Sequence, residues 1–299
     1  MTATSPSAPS PAAPARSGRR RWLANWIGIL PFAAFALMFL ILPTLNIVFG
    51  AFEDAQGHFT LANIRGLDNN LIRSAYVISI VVSLISAVLG CLIGFAISAA
   101  VVFGDLPKWV RNPILTFSGV ASNFAGVPLA FAFIATLGPV GTVTVFLRDW
   151  GINLRVYGFN LLTYYGLIIV YLFFQIPLMI LIITPALDGM KKEWREAAAI
   201  LGATTRQYWQ YVALPILFPS LLGTLALLFA NAFGAVATAY ALAGPAFTLV
   251  PITLFSQIRG DVLGNPQLGF ALAFGMIVIT GLANIVYIVL RARAERWMK

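Results

Sequence analysis

Six stretches of this chain are each long and apolar enough to cross a lipid bilayer as a helix, which takes about 20 mostly apolar residues. They cover residues 22–49, 71–103, 113–137, 161–187, 216–243 and 268–290. Charged residues make up only 10% of the chain, whereas a soluble domain would carry about 25%. The sequence therefore predicts an all-α integral membrane protein with six transmembrane helices. The first apolar run is too long for a signal peptide and lacks a small-residue cleavage pattern, so we expect it to remain as an anchor.

The basic residues predict how these helices are oriented. Fourteen of the 19 Lys and Arg residues lie at the two termini and in the loops after the second and fourth spans. Because Lys and Arg in short loops mark the cytoplasmic side, both termini are predicted to be cytoplasmic. We expect a disordered tail at 1–21, a membrane domain at 22–290 and a second tail at 291–299. This topology accounts for the net charge of +9, so lipid is an expected partner and nucleic acid is not.

The stretch 193–215, "EWREAAAILGATTRQYWQYVALP", is unusually polar for this chain. It predicts a helix that ends at Gly202, since glycine takes the left-handed conformation of a helix stop at little cost. Thr204 or Thr205 then caps a second helix, which meets Pro215. The small alanines of the first helix favour close approach by another protein. The alternative is a pair of interfacial helices that lie on the lipid headgroups.

A longer pattern runs through the loop at 188–215. Its elements are Glu196, Ala197, Ala198, then Gly202 after three residues, then Val212, Ala213, Leu214 and Pro215 after nine, with Ala203, Gln207 and Pro219 as looser additions. This pattern resembles the EAA loop of bacterial ABC-importer permeases, although Ile200 stands where many members have aspartate. The resemblance implies a type I ABC importer permease (MetI-like) fold in a bacterial cytoplasmic (inner) membrane. It points to the branch that includes polyamine, ferric-ion, phosphonate and molybdate permeases.

The resemblance also implies a set of partners. In that family the EAA loop docks on a separate ATP-hydrolysing subunit, so Glu196 would contact that subunit and Gly202 would set the angle between the two helices. The expected partners are two ATPase subunits, a second permease that is another copy or a related chain, and a periplasmic or lipid-anchored solute-binding protein. The sequence contains no G-x-x-x-x-G-K-[ST] motif, which is the loop that cradles nucleotide phosphates. We therefore expect ATP and Mg²⁺ on the partner and no cofactor on this chain.

Neutral polar residues inside the spans are candidates for the lining of a substrate path. Polar side chains at membrane depth usually face the bundle interior or a pathway. Asn123, Gln175 and Asn231 lie in spans near Gly or Pro, and with Thr238 and Tyr240 they form the predicted path. The alternative is that these amides only hydrogen-bond neighbouring helices. The solute expected from the family is small and polar, of the polyamine, phosphonate, metal or oxyanion, or sugar class.

Two other functions compete with the importer permease. An intramembrane enzyme would need a nucleophile, a base or a metal ligand at membrane depth. The single histidine, His58, lies in a predicted external loop, and the single cysteine, Cys91, has no partner for a metal site, so neither a catalytic nor a metal site is predicted. A stand-alone channel would need no EAA loop. The sequence favours a non-catalytic permease subunit of an ATP-driven importer.

Overall fold

The computed structural model describes residues 29–104, 106–259 and 265–297. The predicted tail at 1–21 lies outside these residues. Six helical segments of the described residues are long and apolar enough to cross a membrane, and they are Ile29–Gly50, Asn70–Phe103, Val127–Asp149, Tyr164–Asp188, Thr205–Phe233 and Pro266–Arg293. The third of these contains a short non-helical stretch at 138–141. A further pair of helices, bent by 77°, passes the same test only when taken together. The prediction of an all-α membrane protein with six spans is confirmed.

The described residues divide into two compact units, and the division falls after Phe49. The described part of the first unit belongs to helix α1, Ile29–Gly50. This helix contains a π-helical stretch, Leu37–Ile41, closed by a bond from the Leu42 N–H to the Leu37 carbonyl. Pro43 follows at once and has no N–H to donate to the carbonyl four residues earlier, which explains why regular α-helical bonding is interrupted here.

The second unit is built from eleven described helices. In chain order they are α2 (Ala62–Arg65), α3 (Asn70–Phe103), α4 (Lys108–Ala121), α5 (Val127–Leu137), α6 (Thr142–Asp149), α7 (Tyr164–Asp188), α8 (Lys192–Ile200), α9 (Thr205–Phe233), α10 (Val236–Ala243), α11 (Val250–Arg259) and α12 (Pro266–Trp297). Helix α9 includes a π-helical stretch, Trp209–Ala213.

The most extensive helix packing in this unit is between α3 and α7, which run side by side in the same direction. Small residues of α3 allow it, because a Cβ added at Gly94 would lie 2.6 Å from the Cβ of Met179. A Cβ at Gly90 would lie 2.9 Å from the Cβ of Gln175. Membrane helices gain stability from such close backbone approach, since lipid provides no hydrophobic force between them. The pair α3 and α7 is therefore the scaffold on which the other helices pack.

The predicted third and fifth spans, 113–137 and 216–243, are broken helices, and the breaks lie near the Gly and Pro residues at which the sequence allows a bend. The first is divided into α4 and α5, and Gly126 before α5 has φ +75° and ψ −149°. Only glycine occupies that region readily, and Pro128 then starts α5. The second is divided into α9 and α10 at Gly234 and Ala235. Both divisions occur at the Gly and Pro residues that the sequence places within apolar runs, where composition alone shows no interruption.

The segment 244–267, which joins the last two predicted spans and lies outside both of them, is not a simple surface loop. It contains α11, and the backbone N–H of Val250 donates to the buried hydroxyl of Ser79 on α3 at 2.9 Å. Val250 is buried in a cluster with Ile72, Ala75 and Leu272. Helices α10 and α11 form the pair bent by 77°, so the chain turns back into the bundle here instead of running over its surface.

Candidate docking loop and substrate cavity

The EAA loop, residues 188–215, contains the sharp turn that the sequence predicts. Gly202 follows α8 with φ +78°. The Ala203 N–H bonds to the Ala198 carbonyl, and the Gly202 N–H bonds to the Ala199 carbonyl, both at 3.0 Å. This pair of bonds is the Schellman arrangement that ends many helices. A Cβ at Gly202 would meet nothing within 4 Å, so the backbone conformation, and not crowding, requires glycine.

A capping box begins α9 immediately after this turn. The Thr204 hydroxyl accepts from the Gln207 N–H at 3.3 Å, and the Gln207 side-chain oxygen accepts from the Thr204 N–H at 2.8 Å. These bonds satisfy two backbone donors that a helix start leaves free. Gln207, predicted as part of the docking motif, therefore holds the second helix of the loop in place.

The base of the loop is anchored on the membrane helices. Tyr208 is 7% exposed and packs in a cluster that also contains Leu187 and Met190 from the other end of the loop. The ring of Trp209 meets Phe103 edge-on at 5.5 Å between centroids, and Phe95 at 6.2 Å. Both phenylalanines belong to α3. The start of α9 is thus held against the end of α3.

The tip of the loop is exposed. Glu196 and Ala197 lie on the open side of α8, while Ala198 is half-buried against the cluster beneath. Ile200 and Leu201, on either side of the helix end, are each 86% exposed. Adjacent exposed aliphatic side chains of this kind indicate a surface that another protein or the membrane covers. The loop has a fixed base and an open, partly apolar tip.

Leu214 and Pro215, the last residues of the motif, shape the entry into the fifth span. The Leu214 N–H bonds to the Trp209 carbonyl, which closes the π-helical stretch. Pro215 has no N–H for the Tyr211 carbonyl, so regular α-helical bonding cannot run through this point. The same Leu-Pro order follows the π-helical stretch in α1. Such stretches are frequent at functional sites in helices.

A cavity of about 360 Å³ lies where the two helix breaks meet. Ser122 and Gly126 line it from the α4–α5 break, and Asn231 and Thr238 line it from α9 and α10. The Gly126 N–H donates to the Thr238 hydroxyl at 2.7 Å and so joins the two breaks. Every described residue that lines the cavity is neutral. The lining has hydroxyl and amide groups that can hydrogen-bond a polar solute, and it has no charged side chain among the described residues.

Two of the five predicted path residues, Asn231 and Thr238, line this cavity. The other three lie elsewhere. Gln175 is fully buried and donates to the Ser86 hydroxyl on α3 at 2.8 Å, while its side-chain oxygen has no partner. The Asn123 side chain donates to the Gly119 carbonyl at 3.1 Å. Tyr240 packs on Phe255 with 5.0 Å between the ring centroids.

Ser122 was missed by the sequence reasoning, and Gly126 was noted as a possible bend near Asn123 but was not predicted to line the path. A helix break places consecutive residues on different sides of the chain, so the side chain next to Asn123 faces the cavity. The signal available was Gly126 followed two positions later by Pro128. Across residues 29–104, 106–259 and 265–297, no cluster of three or more His, Cys, Asp or Glu side chains is placed to hold a metal ion.

The chain is similar to known transport proteins. The sequence model of one family, described as binding-protein-dependent transport system inner membrane component, matches residues 93–299. A probable sulfate transport system permease protein cysT of Chlorella vulgaris is 29% identical over 164 residues, which are 54% of this chain and 58% of that protein. The spermidine/putrescine transport system permease protein PotB of Haemophilus influenzae is 26% identical over 261 residues, 84% of this chain and 88% of its own.

Solved structures share the fold. One is a bacterial ABC transporter involved in the import of the acidic polysaccharide alginate, with a TM-score of 0.65 and 18% identity over 94% of this chain and 98% of that one. Another is the bacterial alginate ABC transporter in complex with an alginate pentasaccharide-bound periplasmic protein, with a TM-score of 0.69, 19% identity, and coverage of 94% and 96%. The family match spans the EAA loop and both sides of the cavity. This chain therefore belongs to the family of binding-protein-dependent transport system inner membrane components, and its relatives are named as permease proteins of transport systems.

Proposed function

We propose that the EAA loop of this chain docks on a separate ATP-hydrolysing subunit. The observation that carries the proposal is the contrast between the two parts of the loop. Its tip exposes Glu196, Ile200 and Leu201, while its base is packed on α3 through Trp209. A partner that grips the tip would displace the base as well, because the two are joined by short, hydrogen-bonded turns.

The loop is connected to the spans at both of its ends. Three residues separate α7 from α8. The second helix of the loop is the first part of α9, which is also the helix of the fifth span. Movement of α8 would therefore shift the ends of α3, α7 and α9 together. This is a mechanical route from an ATPase to the membrane helices, and it needs no cofactor on this chain. ATP and Mg²⁺ would be bound by the partner.

We propose that the cavity at the two helix breaks lies on the path of the solute. Ser122 and Asn231 supply donors and acceptors, buried Thr238 joins the two helix breaks through Gly126, and the absence of charge in the described lining favours recognition by hydrogen bonds. The solute would be small and polar, of the polyamine, phosphonate, metal or oxyanion, or sugar class. The relatives named for sulfate and for spermidine and putrescine fall in this range.

The complete importer would contain two ATPase subunits, a second permease and a periplasmic or lipid-anchored solute-binding protein. The second permease would be another copy of this chain or a related one. The family description itself requires a binding protein. The charge distribution supports an orientation in a bacterial inner membrane with both termini and the EAA loop in the cytoplasm.

Co-purification with the ATPase in lipid tests the docking proposal. Glu196→Lys reverses the charge on the open side of α8, and Gly202→Pro abolishes the turn because proline cannot adopt a positive φ. The matched control is Glu53→Lys, the same change on an exposed residue of a predicted external segment. We expect both loop variants to lose the ATPase or its turnover while they remain folded and inserted, and the control to behave as the wild type.

The opposite outcome would overturn the proposal. If both loop variants assemble with the ATPase and hydrolyse ATP as the wild type does, the loop is not the docking surface. If no ATPase associates with the wild-type chain in any lipid, the importer assignment of this loop is itself wrong, and the two interfacial helices lie on the headgroups instead.

A further inference from the structure

We infer that the ion pair between Arg111 and Asp188 transmits movement of the EAA loop to the cavity wall at Ser122. The inference rests on the docking function proposed above. Arg111 and Asp188 are positioning residues, since neither lines the cavity. Their pairing links the start of α4, whose far end opens into the cavity, to the end of α7, where the loop begins.

The ion pair is short and connects distant parts of the chain. One guanidinium nitrogen of Arg111, Nη2, donates to both carboxylate oxygens of Asp188 at 2.8 Å. Two further ion pairs of the described residues, His58–Asp54 and Arg73–Asp68, are longer at 3.7 Å, and each lies within one short segment. Both bonds are charge-assisted and therefore stronger than bonds between neutral groups, and both come from one nitrogen of a half-exposed pair.

Asp188 lies at the root of the EAA loop. It is the last residue of α7, and α8 begins four positions later at Lys192. The Gly189 N–H bonds to the Pro185 carbonyl at 3.0 Å, and the Met190 N–H bonds to the Leu187 carbonyl at 3.2 Å. Because the connection is short and hydrogen-bonded, a displacement of α8 is expected to carry the Asp188 carboxylate with it.

Arg111 lies at the opposite end of α4 from the cavity. Pro113, two residues further on, has no N–H to bond to the Trp109 carbonyl, so the first turn of α4 is held to the rest of the helix by fewer bonds. The ion pair provides a second attachment for that turn. From Arg111 to Ser122 the helix spans about 16 Å, and its far end is fixed by buried Ser118 and Ala121.

A second cavity, of about 410 Å³, lies beside the ion pair. It is lined by the end of α3, by Leu106, and by Met190 and Lys192 of the EAA loop. This open space separates much of the loop root from the chain that enters α4. Helix α4 also packs along α7, and the Arg111–Asp188 pair is the side-chain contact that ties the first turn of α4 to the loop root. Removal of the pair would leave that turn joined to the loop only through the packing of α4 on α7.

The test measures whether ATP binding to the complex changes the rate at which a cysteine at position 122 reacts with a thiol reagent. Ser122→Cys is introduced together with Cys91→Ser, which removes the one native cysteine. The permease is co-purified with its ATPase, placed in lipid, and labelled with a thiol reagent with and without ATP. The variants are Asp188→Asn, Arg111→Gln and the exchange of charges, Arg111→Asp with Asp188→Arg. The matched control is Asp68→Asn, which removes one carboxylate from an exposed ion pair elsewhere.

With the ion pair intact we expect ATP to change the labelling rate by about fivefold or more, a typical strength of coupling between sites. Each single variant is expected to bring this ratio to near one while the ATPase stays bound and hydrolyses ATP. The charge exchange restores the ratio, and the control leaves it unchanged. A role in folding alone would instead lower the amount of complex and its ATP hydrolysis in proportion.

Three outcomes would overturn the inference. In the first, Asp188→Asn keeps the full ATP-dependent change in labelling. In the second, the single variants lose the ATPase and the charge exchange does not restore it, so the pair only supports the fold. In the third, ATP has no effect on labelling in the wild-type complex although the ATPase binds. Failure of the ATPase to bind the wild-type chain at all would refute the docking proposal first.

Discussion

Replacing Gly126 by Ala tests whether backbone conformation alone holds the helix break that faces the cavity. A Cβ at this position would lie 3.8 Å from the Cβ of Ala237 and 4.0 Å from Pro128, so alanine fits without a clash. The backbone, at φ +75° and ψ −149°, is one that alanine adopts only with strain of about 1–3 kcal/mol. Alanine also restricts the unfolded chain, which offsets about 0.4–1 kcal/mol. We expect a net loss of about 1–2 kcal/mol in the free energy of unfolding.

Gly119→Ala is the matched control for this prediction. Gly119 lies within α4, a Cβ there would meet nothing within 4 Å, and its helical backbone suits alanine. The control should therefore stabilise the protein by roughly 0.5–1 kcal/mol. The assay is reversible unfolding in mixed micelles as the share of denaturing detergent rises. The reasoning is refuted if the two substitutions change the free energy of unfolding in the same direction.

Three further substitutions test other parts of the structure. Gly202→Ala should let the loop turn relax from its left-handed conformation, so that restoring this conformation on docking costs about 1–2 kcal/mol. In a titration of the ATPase, this variant should bind roughly five- to thirtyfold more weakly than the wild type. Gly202→Asn should bind like the wild type, because asparagine tolerates the left-handed conformation. Gly94→Ala places a Cβ 2.6 Å from the Cβ of Met179, and unfolding measurements should show a loss of about 1–3 kcal/mol from overpacking. Gln175→Met removes the bond to Ser86 and also the unpaired side-chain oxygen, so the free energy of unfolding should stay within about 1 kcal/mol of the wild type. If a well-folded Gln175→Met variant loses solute uptake, Gln175 belongs to the solute path after all.

The local sequence was sufficient for the features that depend on neighbouring residues. The number of spans follows from the lengths of the apolar runs, because a bilayer demands the same length wherever a run lies in the chain. The turn was predicted at Gly202 and the cap at Thr204 or Thr205, and the structure has them at Gly202 and Thr204. Both could be predicted because a helix stop and a helix start are formed by bonds that reach only three to five positions. For this reason the turn and the cap of the EAA loop could be predicted from the sequence.

The helix breaks were less visible because they interrupt no apolar run. Gly126 and Gly234 stand among residues as apolar as their surroundings, so hydropathy counts 113–137 and 216–243 as continuous. Hydropathy also gives no sign that α11 is buried, because its burial comes from contact with Ser79 and Leu272, residues far from it in the chain.

Only the packing of distant segments decided which polar residues share a site. Asn231 and Gln175 look alike in the sequence, yet one lines the cavity and the other is buried against Ser86. Arg111 and Asp188 are 77 positions apart, and nothing near either predicts their pairing. A span's length is a property of its own residues, whereas the direction in which a side chain points is set by the helices that pack around it.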